Sequence, residues 1–416
     1  MNNLDHNVGA ANTFLARWTY EQLASLRDQT LGPALRMPDY CFGIYDVLRP
    51  ALEEIVGPNR EEESRVLVVP TPWHAVLVLD SLQHHLCLRK RRAIFRGQAD
   101  SNWGITTSIS RQGVDVPREI LKAKLFRDIL RNMSFNTTTA LSPKFGTLTL
   151  TIHEDSYLAA AQHYGIKTHL IDFTPDPAVA VFFAAASQSP KTGVMASVYV
   201  LALEDALEGG CEVIIPPPFV ERLHKQRGFF IKNSGAQPQI DKEHGVIFEV
   251  RFPSAFSFGP FNVVRRGVGV VDLLLPNQEI EGVIASVNQV LESGRIHDLS
   301  VDDYNRIVEA ASLELKRSLD RDRSFSGFYH DPLMMWAKYL NSFEDMLYWT
   351  TYYADERSLS LDKETLSHIV RRNRPLIDSV VQLYKWMMND PTFDCSEMRK
   401  EFINQLIDLM TSDRPG

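Results

Sequence analysis

Residues 162–186 read QHYGIKTHLIDFTPDPAVAVFFAAA, and this stretch decides how the chain folds. Gly165 predicts the end of a helix, because glycine adopts a positive φ without a steric clash. The alternation of side chains from Thr168 to Thr174 predicts a strand. The dipeptide Asp-Pro at 176–177 predicts the N-cap and first residue of a second helix. That helix is apolar on every side, so we expect it to be buried.

The predicted strand carries one carboxylate, Asp172, in otherwise apolar surroundings. Such a group needs an ion pair or hydrogen bonds, since an isolated buried charge is costly. The upstream run FRGQ at 95–98 offers Arg96 as its partner, and Gly97 leaves room for another backbone or a ligand. The pair either borders a ligand cavity or only locks two strands together, as many buried Arg–Asp pairs do.

Composition narrows the class of protein. The chain has 416 residues, 44% hydrophobic and 23% charged, as expected of a globular protein with two or three domains. Its net charge of −8 argues against a protein that coats nucleic acid, although a local basic groove is compatible with it. Four well-separated cysteines without a CxxC pair indicate free thiols. Without a secretory pattern or a long apolar run, the chain is expected to be cytoplasmic and not to span a membrane.

Side-chain periodicity divides the chain into three parts. Residues 1–64 are expected to form an N-terminal helical extension, 65–295 a β-rich domain and 296–416 an α-helical C-terminal domain. Strand patterns dominate the middle part and disappear after it. The predicted fold class is therefore α+β: a mixed central β-sheet with flanking helices, followed by an all-α helical domain.

Three blocks carry a resemblance to a known family: FRGQADSNWGITTSISR at 95–111, QHYGIKTHLIDFTPDPAVAVFFA at 162–184 and QRGFF at 226–230. In order and spacing they resemble the FRG domain, named after its Phe-Arg-Gly signature. His169 stands where arginine is common in that family, which leaves a side chain that titrates near neutral pH. Its members look like prokaryotic proteins, some of them linked to toxin systems or phage defence. The resemblance implies a bacterial effector that acts on a macromolecular target or a phage protein.

The aromatic-Arg-Gly strand is also similar to the strand that opens the site of ADP-ribosyltransferases. That similarity implies NAD as the substrate, with Arg96 holding its phosphate or ribose and Asp172 orienting Arg96. It also implies nearby hydroxyls and a late glutamate that stabilises positive charge on the ribose. The candidates are the hydroxyls of Thr107, Ser108, Thr168 and Thr174, and the carboxylates of Glu249, Glu279 and Glu281.

The predicted site therefore has two groups of residues. Its catalytic candidates are Arg96, Asp172 and Glu249. Its substrate-binding candidates are Phe95, Gly97, Gln98, Arg111, Gln162, His163, Tyr164, Thr168, Thr174 and Gln226. For Gln162, His163 and Gln226, hydrogen bonds that cap the ends of elements are the alternative. No HExxH motif, Cys/His cluster, phosphate loop or GxSxG elbow is present, so no metal is expected.

Two functions of different classes stay open. One is an effector enzyme that transfers or hydrolyses ADP-ribose from NAD. The other is a non-catalytic sensor or adaptor that binds a nucleotide or a phage protein in the same cleft. The enzyme predicts that Arg96, a hydroxyl and a glutamate converge on one open pocket. The binding protein predicts an enclosed Arg96–Asp172 pair with no glutamate nearby.

Overall fold

A computed structural model of the chain describes residues 66–89, 91–132, 137–142, 146–185, 194–218, 226–233, 246–253, 300–321, 363–388 and 397–412, with positions 49, 52, 53, 220, 223, 224, 285, 287, 288, 339, 340 and 343. The strands are β1 Val66–Val68, β2 Ala93–Gln98, β3 Thr137–Ser142, β4 Gly146–Leu150, β5 Leu170–Phe173, β6 Met195–Ala202, β7 Cys211–Ile214, β8 Phe229–Asn233 and β9 Val246–Pro253. The helices are α1 Pro72–Leu88, α2 Val116–Asn132, α3 Glu154–His163, α4 Pro177–Ala185, α5 Leu203–Glu208, α6 Val301–Arg321, α7 Lys363–Arg372, α8 Arg374–Met388 and α9 Glu397–Ser412.

The strands form two main sheets that meet at their edges. One has the order β1-β9-β6-β2, with β1 parallel to β9 and the other pairs antiparallel. The second, antiparallel, has the order β5-β8-β7, and β3 and β4 form a separate hairpin. Edge strand β2 reaches the second sheet through one isolated bridge, between Phe95 and Thr174. The expected α+β class with a mixed sheet and helices is confirmed.

The stretch at 162–186 folds largely as its sequence predicts. Gly165 has a φ of 89°, and helix α3 ends just before it. Helix α4 begins at Pro177. Asp176 Oδ1 accepts a hydrogen bond of 2.9 Å from the amide of Ala178, which satisfies a donor that the helix cannot use itself. All of α4 except Phe183 is buried, as expected of a helix that is apolar on every side.

Strand β5 is shorter than the strand predicted over 168–174, because both of its flanks bond elsewhere. The Thr168 amide donates to Ser108 Oγ over 3.0 Å. Thr174 exchanges backbone hydrogen bonds of 2.8 and 3.0 Å with Phe95 on β2. The outer residues of the predicted strand therefore tie the second sheet to β2 and to the loop that follows it.

Gly97 allows α4 to pack directly against β2. A Cβ atom at this position would lie 1.9 Å from the carbonyl oxygen of Ala180 and 2.9 Å from the amide nitrogen of Ala184. Both neighbours are backbone atoms of the buried helix, so they cannot rotate away as a side chain does. The close approach predicted from this glycine is therefore an approach of backbone to backbone.

The described C-terminal helices hydrogen-bond to the strands. Asn373, between α7 and α8, donates 2.7 Å to the carbonyl of Val213 and accepts 3.1 Å from the amide of Ile215. Ser379 on α8 accepts 2.6 Å from the amide of Thr151, just after β4. Buried residues of α7, α8 and α9 belong to the same hydrophobic cluster as those of β5, β7 and β8. These helices therefore share a core with the second sheet.

The domain boundaries predicted near residues 64 and 295 lie outside the described residues and stay predictions. The described segments after residue 300 are helical, as the sequence predicts for that part. No helix among the described residues is both long enough and apolar enough to cross a membrane.

Replacing Gly97 by alanine is expected to lower the free energy of unfolding by roughly 3 kcal/mol or more, since the new methyl group meets immovable backbone. Gly113→Ala is the matched comparison. Gly113 has no atom within 4 Å of an added Cβ but has a φ of +81°, so its cost of about 1 kcal/mol is conformational. Urea unfolding of both variants measures the two costs. A smaller loss for Gly97→Ala than for Gly113→Ala contradicts the packing described above.

Candidate functional site

A cavity of about 240 Å³ lies between edge strand β2 and strand β5. Its polar lining comes from Arg96, Gln162, His163, Asp172, Thr174 and Gln226. Its apolar walls include Phe95, Phe173, Val179, Phe183, Leu223 and Phe230. Aromatic walls around a few convergent polar groups are typical of small-molecule sites.

The structure contains the predicted Arg96–Asp172 pair at this cavity. Arg96 Nη1 donates to the Asp172 carbonyl oxygen over 3.0 Å and also to its carboxylate oxygen Oδ1. The two partners differ in exposure, because the side chain of Arg96 is 9% exposed and that of Asp172 is 58% exposed. Both residues line the cavity, where the guanidinium is largely buried and the carboxylate is exposed.

The carboxylate of Asp172 is held in one orientation by a second donor. Gln162 Nε2 donates to Asp172 Oδ1 over 3.1 Å, and Gln162 Oε1 accepts from the Thr168 hydroxyl. Both ends of the amide are thus satisfied, which fixes its orientation. The Thr168 hydroxyl in turn accepts 3.1 Å from the amide of Leu170.

Asp172 is ionised at neutral pH. Burial by itself acts to raise the pKa of this carboxyl, but the charge and hydrogen bond of Arg96 outweigh burial, with smaller help from the backbone and His163. The net result is a pKa below the usual range of an aspartate. The protein atoms around the carboxylate of Asp172 desolvate it on one side. Its other side faces the open cavity, which explains why the side chain is 58% exposed. At neutral pH the cavity therefore contains an oriented negative charge.

Thr174 supports the architecture of the site. Its hydroxyl donates to the carbonyl of Gln226 over 2.9 Å and accepts 3.1 Å from the amide of Asp176. Asp176 Oδ2 also lies 3.9 Å from Arg227 Nη1. The backbone of Arg227 has a φ of 50°, which residues other than glycine seldom adopt. The hydroxyl of Thr174 thus connects β5, α4 and the QRGFF segment.

Several predicted site residues do not line the cavity: Gln98, Arg111, Tyr164, Thr168 and Glu249. Gln98 Nε2 donates 2.7 Å to the carbonyl of Gly104. The ring of Tyr164 packs 6.3 Å from that of Phe126, centroid to centroid, beside the core. Thr168 acts on the cavity through Gln162, as described above.

Glu249 lies two strands away from Arg96 in the same sheet. Strand register aligns Arg96 with Tyr199 and Tyr199 with Glu249. Both oxygens of the Glu249 carboxylate accept 2.8 Å hydrogen bonds from Arg251. The catalytic role of Glu249 stays a prediction. Among the described residues that line the cavity, the carboxylate comes from Asp172. The other two glutamate candidates, Glu279 and Glu281, lie outside the described residues.

Sequence reasoning identified the polar lining better than the apolar walls. Val179 and Phe183 come from α4, whose continuous apolar run predicts burial and gives no sign of a cavity. Phe230 lies in the QRGFF block next to Phe229, so that block was the sequence feature from which its place in the cavity wall could have been predicted. Within the described part of the chain, no three His, Cys, Asp or Glu residues are grouped to hold a metal ion.

Asp172→Ala is expected to destabilise the protein more than Arg96→Met. Removing the carboxylate leaves a buried guanidinium without its counter-charge, at a cost of about 3 kcal/mol. Removing the guanidinium leaves a carboxylate that water can solvate from the cavity. Urea unfolding at neutral pH measures both losses. Asp205→Ala is the control, because it breaks the 3.0 Å ion pair with Arg91 on the surface. It should lower the free energy of unfolding by less than about 1 kcal/mol. An equal or larger loss for Arg96→Met contradicts the exposure pattern.

The ionised state of Asp172 also predicts how stability depends on pH. The folded pKa lies below the unfolded one, so the pair stabilises the protein fully above the unfolded pKa of about 3.9. That stabilisation is lost as the pH falls through the folded pKa. The difference in unfolding free energy between the wild type and Asp172→Asn should therefore be constant above about pH 5 and shrink as the pH falls below about 4. A difference that does not shrink as the pH falls argues against a lowered pKa.

Residues 91–193 match the family model of the FRG domain. The matched segment contains the FRGQ and QHYG blocks, both edges of the cavity and helix α4, and it ends before β6. Neither the curated proteins nor the solved structures include a significant match to this chain.

Proposed function

Since the chain contains an FRG domain whose first and second blocks border a cavity, we propose that this domain binds NAD there and transfers or hydrolyses its ADP-ribose. The nicotinamide end of NAD enters the cavity, and Asp172 faces the ribose next to it. The activity serves a cytoplasmic effector in bacterial toxin or anti-phage defence. The proposal includes an ADP-ribosyltransferase-like arrangement of the two sheets and an all-α domain at 296–416, whose described helices pack on the second sheet.

The observation that carries the proposal is the sign of the charge that the cavity presents. Both Asp172 and Arg96 line the cavity, but the carboxylate of Asp172 is exposed there and the guanidinium of Arg96 is largely buried. The nicotinamide ring of NAD is cationic, so a fixed carboxylate attracts that end of the molecule. A cavity of about 240 Å³ is smaller than the roughly 300 to 1,000 Å³ of sites for drug-sized ligands, so it suits one end of NAD and not the whole molecule.

The same carboxylate suits the bond that would break. Cleavage of the glycosidic bond sends its electron pair to the ring nitrogen, and neutral nicotinamide leaves. Positive charge then develops on the ribose, where an oriented anion stabilises it without reorganising. Water or a nucleophile of the target forms the new bond to the ribose and loses a proton. Asp172 takes the place that the ADP-ribosyltransferase similarity assigns to a glutamate.

This assignment changes the expected role of Arg96. A phosphate that approached its guanidinium would meet the carboxylate of Asp172, and the two anions would repel each other. Arg96 instead keeps Asp172 ionised and, together with Gln162, oriented. Arg96 is then a positioning residue, and the phosphates of NAD need a different cation.

The second candidate function is a non-catalytic sensor or adaptor that binds a nucleotide or a protein in the same cavity. Two observations favour it. No glutamate is among the described cavity-lining residues, and the Thr174 hydroxyl already donates one hydrogen bond and accepts another. In that case, the ligand binds without chemical change.

Incubation with NAD labelled in either half tests the proposal. Wild type should release nicotinamide and transfer the ADP-ribose label to water or to protein, DNA or RNA of a bacterial extract. Asp172→Asn should reduce nicotinamide release by about 100-fold or more, because the developing charge loses its counter-charge. Asp205→Asn makes the same chemical change in a surface ion pair and should keep full activity.

Three outcomes of this experiment have separate meanings. Full activity in a folded Asp172→Asn variant contradicts the role of this carboxylate. Binding of NAD by the wild type without nicotinamide release supports the sensor. Activity that is lost in Glu249→Gln and kept in Asp172→Asn assigns the chemistry to the glutamate predicted from sequence.

A further inference from the structure

The loop at 99–111 connects β2 to the residues that hold Asp172. At its start, Gln98 Nε2 donates 2.7 Å to the carbonyl of Gly104. The hydroxyl of Tyr199, on the neighbouring strand β6, donates 3.2 Å to the carbonyl of Ser101. These two hydrogen bonds hold the first half of the loop over the face of the sheet that carries Arg96 and Tyr199.

The second half of the loop is held against the strand of Asp172. Ser108 Oγ donates 3.3 Å to the carbonyl of Thr168 and accepts 3.0 Å from its amide. The Ile109 amide donates 3.3 Å to the same carbonyl. Because Thr168 also bonds to Gln162, and Gln162 to Asp172, the loop adjoins the hydrogen-bond network of the cavity.

This loop carries an exposed aromatic ring next to a cation. Trp103 is 51% exposed, although tryptophan is highly buried on average. The guanidinium carbon of Arg111 lies 5.5 Å from the centre of the Trp103 ring, within the range of a cation–π contact. Burial and repulsion by Arg96 lower the pKa of Arg111, and Asp172 acts to raise it. The charge of Arg111 is thus within electrostatic reach of the cavity pair.

We propose that Trp103 and Arg111 form the base and phosphate subsite of the nucleotide whose other end enters the cavity. An exposed indole stacks on a nucleobase of any identity, and a guanidinium binds phosphate oxygens through paired hydrogen bonds. The two regions then match the two ends of NAD. Asp172 presents a negative charge to the cationic nicotinamide, and Arg111 presents a positive charge to the diphosphate. This inference rests on the proposed function and extends it from the cavity to the loop that adjoins its hydrogen-bond network.

Calorimetry with adenosine and with ADP-ribose tests the two parts of the subsite separately. Trp103→Ala should weaken binding of both probes about 10-fold or more, because both contain the stacked base. Trp103→Phe keeps an aromatic face and should restore most of the affinity. Arg111→Gln should weaken the binding of ADP-ribose, which has the diphosphate, and make that binding less dependent on salt. The affinity for adenosine, which has no phosphate, should not change. Leu313 is 48% exposed on α6, so Leu313→Ala should alter the affinity for neither probe.

Thermal melting of each variant should give a midpoint close to that of the wild type, because these positions are exposed. If the wild type binds NAD, and Trp103→Ala binds NAD and ADP-ribose as tightly as the wild type does, the proposed subsite is wrong and the proposed function stands. If the wild type binds none of NAD, ADP-ribose and adenosine, both fail together. A single-stranded oligonucleotide that binds more tightly than ADP-ribose and depends on Trp103 overturns the assignment to a free nucleotide.

Discussion

One ion pair spans the gap between two sheet edges, and the site depends on it. Strands β2 and β5 are joined by a single backbone bridge at Phe95 and Thr174, and no further ladder connects them in the described part of the chain. Next to that bridge, Arg96 reaches the backbone and carboxylate of Asp172. The cavity occupies the space where regular pairing between the two sheets stops, so side chains face it in place of a continuous ladder.

The unequal exposure of the two charges gives this pair a chemical direction. A pair buried on both sides mainly locks strands together, and a pair exposed on both sides contributes little. Here the cation is buried and the anion is open, so the pair holds a negative charge at a defined position in the cavity. Arg96 Nε is also buried without a hydrogen-bond acceptor among the described residues, which is unusual for a buried polar atom. A buried donor without an acceptor lowers the stability of the fold.

Sequence reasoning recovered the site unevenly, and the reasons are physical. Arg96 and Asp172 were identifiable because a charge within an apolar strand must find a partner. Gln162 was identifiable from the second block, but its amide bridge between Thr168 and Asp172 depends on how α3 returns to β5. Glu249 satisfied the sequence pattern, yet strand order places it two strands from Arg96, beside an arginine that its own strand supplies.

The sequence by itself determined the local elements: the glycine that follows α3, the cap of α4, the α+β class and the two charges that pair. These features follow from backbone sterics, capping and side-chain periodicity, which act over a few residues. Only the tertiary structure decided that β2 and β5 meet at one bridge, that the carboxylate of Asp172 is exposed while the guanidinium of Arg96 is buried, and that the loop at 99–111 joins the same network. Exposure and strand order depend on contacts between residues far apart in the chain, and a local pattern contains no information about them.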